Sequence, residues 1–387
     1  SQSISEHEAI EEYQRLLQNA INRQMISDVP IGVLLSGGID SAIITCLMHA
    51  KTKEKIKTFS IGFEGEGDFN ELNDAKETAA LFNTDHYSIT MNKSDYLDFF
   101  FKSFHFLEEP IAESTIPALF HVSKLASNHL KVVLAGQGAD EPLGGYHRYL
   151  GEKYINKFGL LFRILPLNII NKIFSRNEKL KRTIYTSNFS DELDRFLRLY
   201  TIFTPEQKDL LLNENSKKKI EDVNRSLIDN LYSQSEDLDD SLSKLFYIDT
   251  RLSLSDNLLL FGDKITMANS LEMRVPFLDI ELVKFLESLP SHFKLKGTTQ
   301  KYLHKRAVKK WLPNRIIYRK KRGFQTPMDN WLQNDLSSFA KDYLCSNKSM
   351  TANFFNLKEI ELMIDSHINK KENYTRNLFT LLSFEIW

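Results

Sequence analysis

The feature that most restricts this chain is a change of hydrophobic period near residue 32. Gly32-Val-Leu-Leu35 is an apolar run too brief for a helix, Ser36-Gly-Gly38 interrupts it, and Ala42-Ile-Ile-Thr-Cys-Leu-Met48 continues as helix-like text. The spacing predicts a strand, a tight loop and a helix. The pattern then recurs: Lys55 to Phe63 reads as a strand, Glu71 to Phe82 as a helix, and His86 to Ile89 as a short strand. Tyr96 to Phe106 and Pro117 to Ala126 read as helices, and Lys131 to Ala135 as another strand. Strands that alternate with helices pair in parallel through right-handed crossovers, and such sheets bind ligands beyond the carboxyl ends of their strands. The expected fold class is therefore α/β, a parallel sheet flanked by helices.

Two further stretches complete the plan. Residues 1–30 are a helical lead-in, with apolar side chains at Ile10, Tyr13, Leu17, Ala20 and Ile21 and a stop at Asp28-Val-Pro30. After about residue 150 the text turns Leu-, Lys- and Asn-rich and helical, without clear strands. The expected division is 1–30, an α/β nucleotide-binding core over 31–150, and a mostly helical 151–387 that completes the active site.

Composition excludes several function classes. The 387 residues carry 42% hydrophobic and 26% charged side chains and a net charge of -1, which leaves no global positive field for a nucleic-acid backbone. No run approaches the ~20 apolar residues that span a bilayer. The two cysteines, Cys46 and Cys345, form neither a disulfide framework nor a zinc-ligand spacing, and the N-terminus lacks a secretory pattern, so a cytoplasmic setting is expected. The histidines, among them His49, His147 and His304, show no metal pattern and read as core or surface residues.

Leu34-Leu-Ser-Gly-Gly-Ile-Asp-Ser41 sets two glycines and two serines between a buried strand and a helix start. Glycines let backbone N–H groups converge on an anion, and the helix N-terminus adds partial positive charge, so the geometry suits phosphate. The loop lacks the lysine of a G-x-x-x-x-G-K-[ST] loop, which argues against cleavage at the terminal phosphate. Asp40 stands where a carboxylate could hold Mg²⁺ against a diphosphate. An ordinary capped strand-to-helix turn would use the same residue types, so the loop alone leaves both readings open.

Ser36-Gly-Gly-Ile-Asp-Ser41 is similar to the loop of the PP-loop ATP pyrophosphatases, whose fold is adenine nucleotide alpha-hydrolase-like. Further segments resemble, in order, those of the asparagine synthetase family. They are Thr58-Phe-Ser-Ile-Gly-Phe63, Gly136-Gln-Gly-Ala-Asp-Glu-Pro-Leu-Gly-Gly-Tyr146, Asp263-Lys-Ile-Thr-Met267 with Ser270-Leu-Glu-Met-Arg-Val-Pro-Phe-Leu-Asp279, Lys301-Tyr-Leu303, and Arg319-Lys-Lys-Arg-Gly-Phe324. The resemblance covers about Tyr13 to Trp387. It implies that a carboxylate attacks the α-phosphate of ATP to give an acyl-adenylate and diphosphate, and that an amine then displaces AMP.

Carried over residue by residue, the resemblance implies ATP contacts at Leu35, Ser36, Gly37, Gly38, Asp40, Ser41, Ile61, Ala135 and Gly136. It implies Mg²⁺ held by Asp40 and Asp140, and catalytic roles for Lys321, Gln137, Glu141 and Glu272, with Arg274 on the substrate. Lys321 would offer positive charge to the reacting phosphorus, although Arg319-Lys-Lys-Arg322 also reads as a solvated basic stretch. Leu35, Ile61, Ala135 and Gly136 also suit ordinary strand packing, and Glu272 with Arg274 also suits a structural ion pair.

Gln137 departs from the family, which has Glu there. Gln keeps the shape but cannot act as a base or an anionic partner, so the acceptor carboxylate becomes an open question: aspartate, a sugar acid, a peptide, or closure of a lactam. Glu113 stands where Asp is expected. The glutaminase of the family uses an N-terminal Cys, whereas this chain opens on Ser1; the expectation is a synthetase part without its glutaminase, with ammonia from a glutaminase domain, a partner subunit or solution. The expected partners are a small carboxylate and ammonia, with no nucleic acid and no membrane, and a homodimer is compatible. A tRNA-modifying enzyme on the same loop lacks its cysteines and basic surface here, and a nucleotide-binding pseudoenzyme is opposed by the presence of Asp40, Asp140 and Lys321.

Overall fold

The computed structural model describes residues 4–65, 71–164, 178–217, 223–320 and 326–387. The chain forms two compact units: Ser1–Leu107 with Thr115–Tyr146 and Phe246–Thr326, and Glu108–Ser114 with His147–Leu245 and Pro327–Trp387.

The first unit is built on five strands, β1 (Ile31–Leu34), β2 (Lys57–Phe63), β3 (Asp85–Met91), β4 (Val132–Ala135) and β5 (Glu272–Arg274), in the order β3-β2-β1-β4-β5. Every pairing is parallel. The helices of its first half are α1 (Glu6–Gln24), α2 (Ile39–His49), α3 (Leu72–Leu81), α4 (Lys93–Leu107), α5 (Ile116–Ser127) and the single turn α6 (Asp140–Leu143). A parallel sheet is covered on both faces, which is why β4 is buried at every residue and β2 at all but its first. α1 begins with a capping box, Ser5 with Glu8, and buries the stripe Ala9, Tyr13, Leu16, Leu17, Ala20 and Ile21. α2 is buried from Ser41 to Met48, so its text is apolar on all sides rather than amphipathic.

The alternation of strand and helix expected up to residue 135 is present. The described residues after 150 are mostly helical, but Glu272–Arg274 forms β5 beside β4, with Val132 opposite Glu272 and Leu134 opposite Arg274. Three residues on a sheet edge, two of them charged, have no β-branched run by which a strand is recognised. Leu295–Lys296 and Thr299–Gln300 add a two-stranded antiparallel hairpin. Through these segments the stretch 246–326 joins the sheet unit.

The sheet order reverses between β1 and β4, the topological switch point where open parallel sheets take their ligands. Leu34 pairs with Ala135, so the loops that follow leave the sheet side by side.

The second unit is helical, and its interior holds an ion pair. The Arg195 guanidinium donates to the Glu152 carboxylate at 2.9 and 3.4 Å, and the Ser241 hydroxyl adds a bond at 2.6 Å. Glu152 is buried and Arg195 nearly so. Removing one partner leaves the other charge desolvated, so Glu152→Ala should cost about 3–5 kcal/mol, measured by urea denaturation. Replacing both partners with methionine should recover most of that loss. Among the described residues, no helix is long and apolar enough to cross a membrane.

Candidate active site

The two switch-point loops carry the acids. Asp40 lies in the first turn of α2 and Asp140 opens α6. Both are turned onto one ammonium group: Lys301 Nζ lies 2.7 and 2.8 Å from the Asp40 oxygens and 2.8 Å from Asp140 Oδ1. The Lys301 side chain is only 4% exposed, against 18% and 21% for the acids, so the cation is enclosed while the carboxylates keep a wet side. Burial alone would depress the ammonium, but Asp140 and Asp40 outweigh it and hold Lys301 well above its ordinary range.

Local structure explains how a lysine reaches this point. The hairpin ending at Gln300 delivers it, and the Gln300 amide donates to the Gly145 carbonyl at 3.0 Å. Lys301 then caps the helix Tyr302–Ala307 in the left-handed region, φ 52°, a conformation costly for a side-chain residue and concentrated at functional sites. Gly145 makes the approach feasible. A Cβ there would overlap Asp140 Oδ1 and stand 2.5 Å from Lys301 Cε.

A third group backs Asp40. His304, fully buried, has Nε2 3.5 Å from Asp40 Oδ1 and Nδ1 2.7 Å from the Tyr13 hydroxyl. Burial pushes the imidazole down to about 4, so it is neutral at pH 7. At this distance Nε2 makes no hydrogen bond among the described residues, and the bond of the ring is the one shared by Nδ1 and the Tyr13 hydroxyl. The core reading of His304 is thus correct, and it carries a contact with the loop acid besides.

The phosphate loop is tightly wired. Ser36 N–H donates to Ser41 Oγ at 3.1 Å, the two hydroxyls are 3.0 Å apart, and Gly38 N–H reaches Ser36 Oγ at 3.2 Å. Gly37 N–H donates to a Glu71 carboxylate oxygen at 3.1 Å, while the Gly37 carbonyl accepts from Arg319 at 2.8 Å. Leu35 packs on Ala75 and Ala79 of α3, with its N–H bonded to Phe59 and its carbonyl accepting from Ser60. Ile61 in β2 and Ala135 at the end of β4 are buried, and Gly136 follows against the Asp40 backbone.

Two residues of the β4 loop face other partners. The Gln137 amide donates to the Leu258 carbonyl at 2.9 Å, within the π-helical turn Leu254–Leu259 that precedes the helix Leu260–Met267. Such turns cluster at functional sites. Glu141 is completely buried; Tyr146 donates to one carboxylate oxygen at 2.7 Å, and the other has no partner among the described residues. Burial raises its carboxyl to about 7, although the Tyr146 bond works the other way.

The loop residues, Asp40 and Asp140 are therefore gathered at one end of the sheet, with Gln137 and Glu141 on the same β4 loop. Glu272 and Arg274 lie on β5, the strand beside β4. They pair with each other at 2.7 Å, and Arg274 donates to the carbonyls of Gln24, the last residue of α1, and of Ile26 just beyond it. Lys321 lies outside the described residues. Sequence reasoning assigned no role to Lys301, although it noted the Lys301-Tyr-Leu303 segment. The signal is an electrostatic one: two acids aimed at one point require a counter-charge, and here it comes from 261 positions away.

Set beside known proteins, the chain matches the asparagine synthase family over residues 12–387. It is 30% identical over 384 residues to asparagine synthetase (glutamine-hydrolyzing) 1 of Bacillus subtilis (strain 168), covering 99% of this chain and 59% of that protein. A Mycobacterium tuberculosis (strain H37Rv) relative is 30% identical over 380 residues, 97% of this chain and 57% of its own length. Asparagine synthetase (glutamine-hydrolyzing) 3 of Bacillus subtilis is 25% identical over 373 residues, 91% of this chain and 54% of its own. The chain thus spans somewhat over half the length of these curated relatives.

Proposed function

The chain belongs to the asparagine synthase family, and from that premise we propose that it spends ATP to turn a carboxylate into an amide by way of an acyl-adenylate. A carboxylate oxygen of the acceptor attacks the α-phosphorus, and the bond to the β-phosphate oxygen breaks to release diphosphate. Ammonia then attacks the acyl carbon, the bond to the phosphate oxygen breaks, and AMP leaves as the nitrogen loses a proton.

The observation that carries this reading is the convergence of Asp40, Asp140 and Lys301 beside the Ser36–Ser41 loop. The two carboxylates offer hard oxygen donors within reach of one cation, and Mg²⁺ favours one or two carboxylates completed by phosphate and water. Among the described residues no group of three metal-ligating side chains exists, which also suits a metal that arrives with its nucleotide. When bound, Mg²⁺ would supply charge to the departing diphosphate. Asp40 and Asp140 would hold it, and Lys301, freed from both acids, would turn its ammonium to the phosphate oxygens. Charge preorganised where negative charge develops is among the largest catalytic terms. The same service from Lys321 rests on resemblance alone. A catalytic role for Glu141 rests on resemblance, and the burial that raises its carboxyl to about 7 suits a proton acceptor.

Aspartate is the first acceptor, and glutamine is the ammonia source suggested by the names of the relatives. A second reading, a different carboxylate, draws on Gln137. Its amide is engaged by the Leu258 carbonyl, so this wall of the site is uncharged where a Glu would be anionic. Gln137→Glu should cost about 1–2 kcal/mol, because a carboxylate cannot donate to that carbonyl; an unchanged melting temperature would contradict the pairing. ATP–diphosphate exchange with a panel of carboxylic acids tests the acceptor. Exchange with aspartate is expected. Exchange with another acid alone would replace aspartate, and exchange with none would remove the adenylation step.

A further inference from the structure

The Gly37 N–H belongs to the phosphate loop, and it is already given to an anion. Glu71 Oε2 accepts from it at 3.1 Å. Glu71 holds the N-cap position of α3, where a side-chain oxygen ordinarily bonds the first turn of its own helix, yet it makes no such bond. Its carboxylate serves the phosphate loop instead. The approach is built in on both sides: a Cβ on Gly37 would stand 2.8 Å from Asp74 Cβ and 3.4 Å from Glu71 Cβ, so only glycine lets α3 come this close. Arg319 locks the arrangement by donating to the carbonyls of Gly37 at 2.8 Å and Asp74 at 3.1 Å.

Resting on the phosphate-loop reading above, we propose that Glu71 is a built-in competitor for the phosphate site, occupying with its carboxylate the N–H that a diphosphate oxygen would take. A nucleoside triphosphate or inorganic diphosphate seats only after that carboxylate swings away. Two anions cannot share one N–H, and while the phosphates are bound the displaced carboxylate stays close enough to repel them. After the chemistry its return helps to release the diphosphate. The role of Glu71 is positional rather than catalytic.

Isothermal titration of the 387-residue chain with magnesium diphosphate tests this, using the wild type, Glu71→Ala and the shape-preserving Glu71→Gln, with melting temperatures as the check on folding. The alanine variant should bind about tenfold more tightly, on the scale of one charge-assisted hydrogen bond. The glutamine variant should fall between the two, since a neutral carbonyl accepts more weakly. Diphosphate should also inhibit turnover at proportionately lower concentration in both. Equal or weaker binding by folded variants, alongside a wild type that binds, overturns the competitor and leaves the phosphate loop standing. Failure of all three to bind removes the phosphate-loop reading and this inference with it.

Discussion

Lys301→Ala should lower the rate of amide formation by roughly 10²–10³-fold, the scale on which one preorganised charge acts in a closed site. It should also destabilise the chain. Asp40 and Asp140 would then face each other without the ammonium that lies 2.7–2.8 Å from both, and breaking a buried pair costs about 3–5 kcal/mol. The carboxylates are each about a fifth exposed, which places the loss at the lower end of that range. The two effects separate by adding Mg²⁺. A divalent cation between the bare carboxylates should restore the melting temperature, because binding to the folded state alone stabilises it, while turnover stays low. Recovery of both would reduce Lys301 to a place-holder, and recovery of neither would remove the two acids as a cation site.

Gly145→Ala should lower turnover about 10²-fold, the penalty of misplacing a catalytic group by about 1 Å. The residue has no side chain of its own to contribute, so its effect is wholly steric. A methyl group there meets Asp140 Oδ1 and the Lys301 stem at once, and both are locked by their mutual ion pair. Overpacking of this kind costs about 1–3 kcal/mol of stability. The decisive comparison is with Gly297→Ala, where a Cβ meets nothing within 4 Å although φ is +60°. That variant should be strained in its hairpin yet close to wild type in rate per folded molecule. Equal rate losses at both positions would indicate general damage instead of a displaced Lys301.

What could be read from the residues alone divides along physical lines. The strand-loop-helix alternation was legible because each element's apolar period is local: β1, β2, β3 and β4 each stand within a few residues of expectation. The phosphate loop was legible for the same reason, its glycines and serines lying within one hexapeptide. β5 was not, since Glu-Met-Arg becomes a strand only by pairing with β4. Lys301 carries its meaning through tertiary structure: a hairpin, a left-handed residue and a glycine on another loop combine to bring it to acids far away in sequence. Glu272 and Arg274 illustrate the converse. A motif placed them in the expected order, while the fold pairs them with each other and ties Arg274 to the end of α1. Glu71 was unremarkable text at a helix start, and only the contact with Gly37 shows where its carboxylate goes.

The bond that breaks in ATP is the point on which the switch-point site stands or falls. With α-labelled ATP, Mg²⁺, aspartate and ammonium supplied to the intact chain, the expected products are AMP and diphosphate in equal amounts, each matching the amide formed. Release of ADP and orthophosphate would place the cleavage at the terminal phosphate and contradict a site in which Asp40, Asp140 and Lys301 act on the α,β bridge.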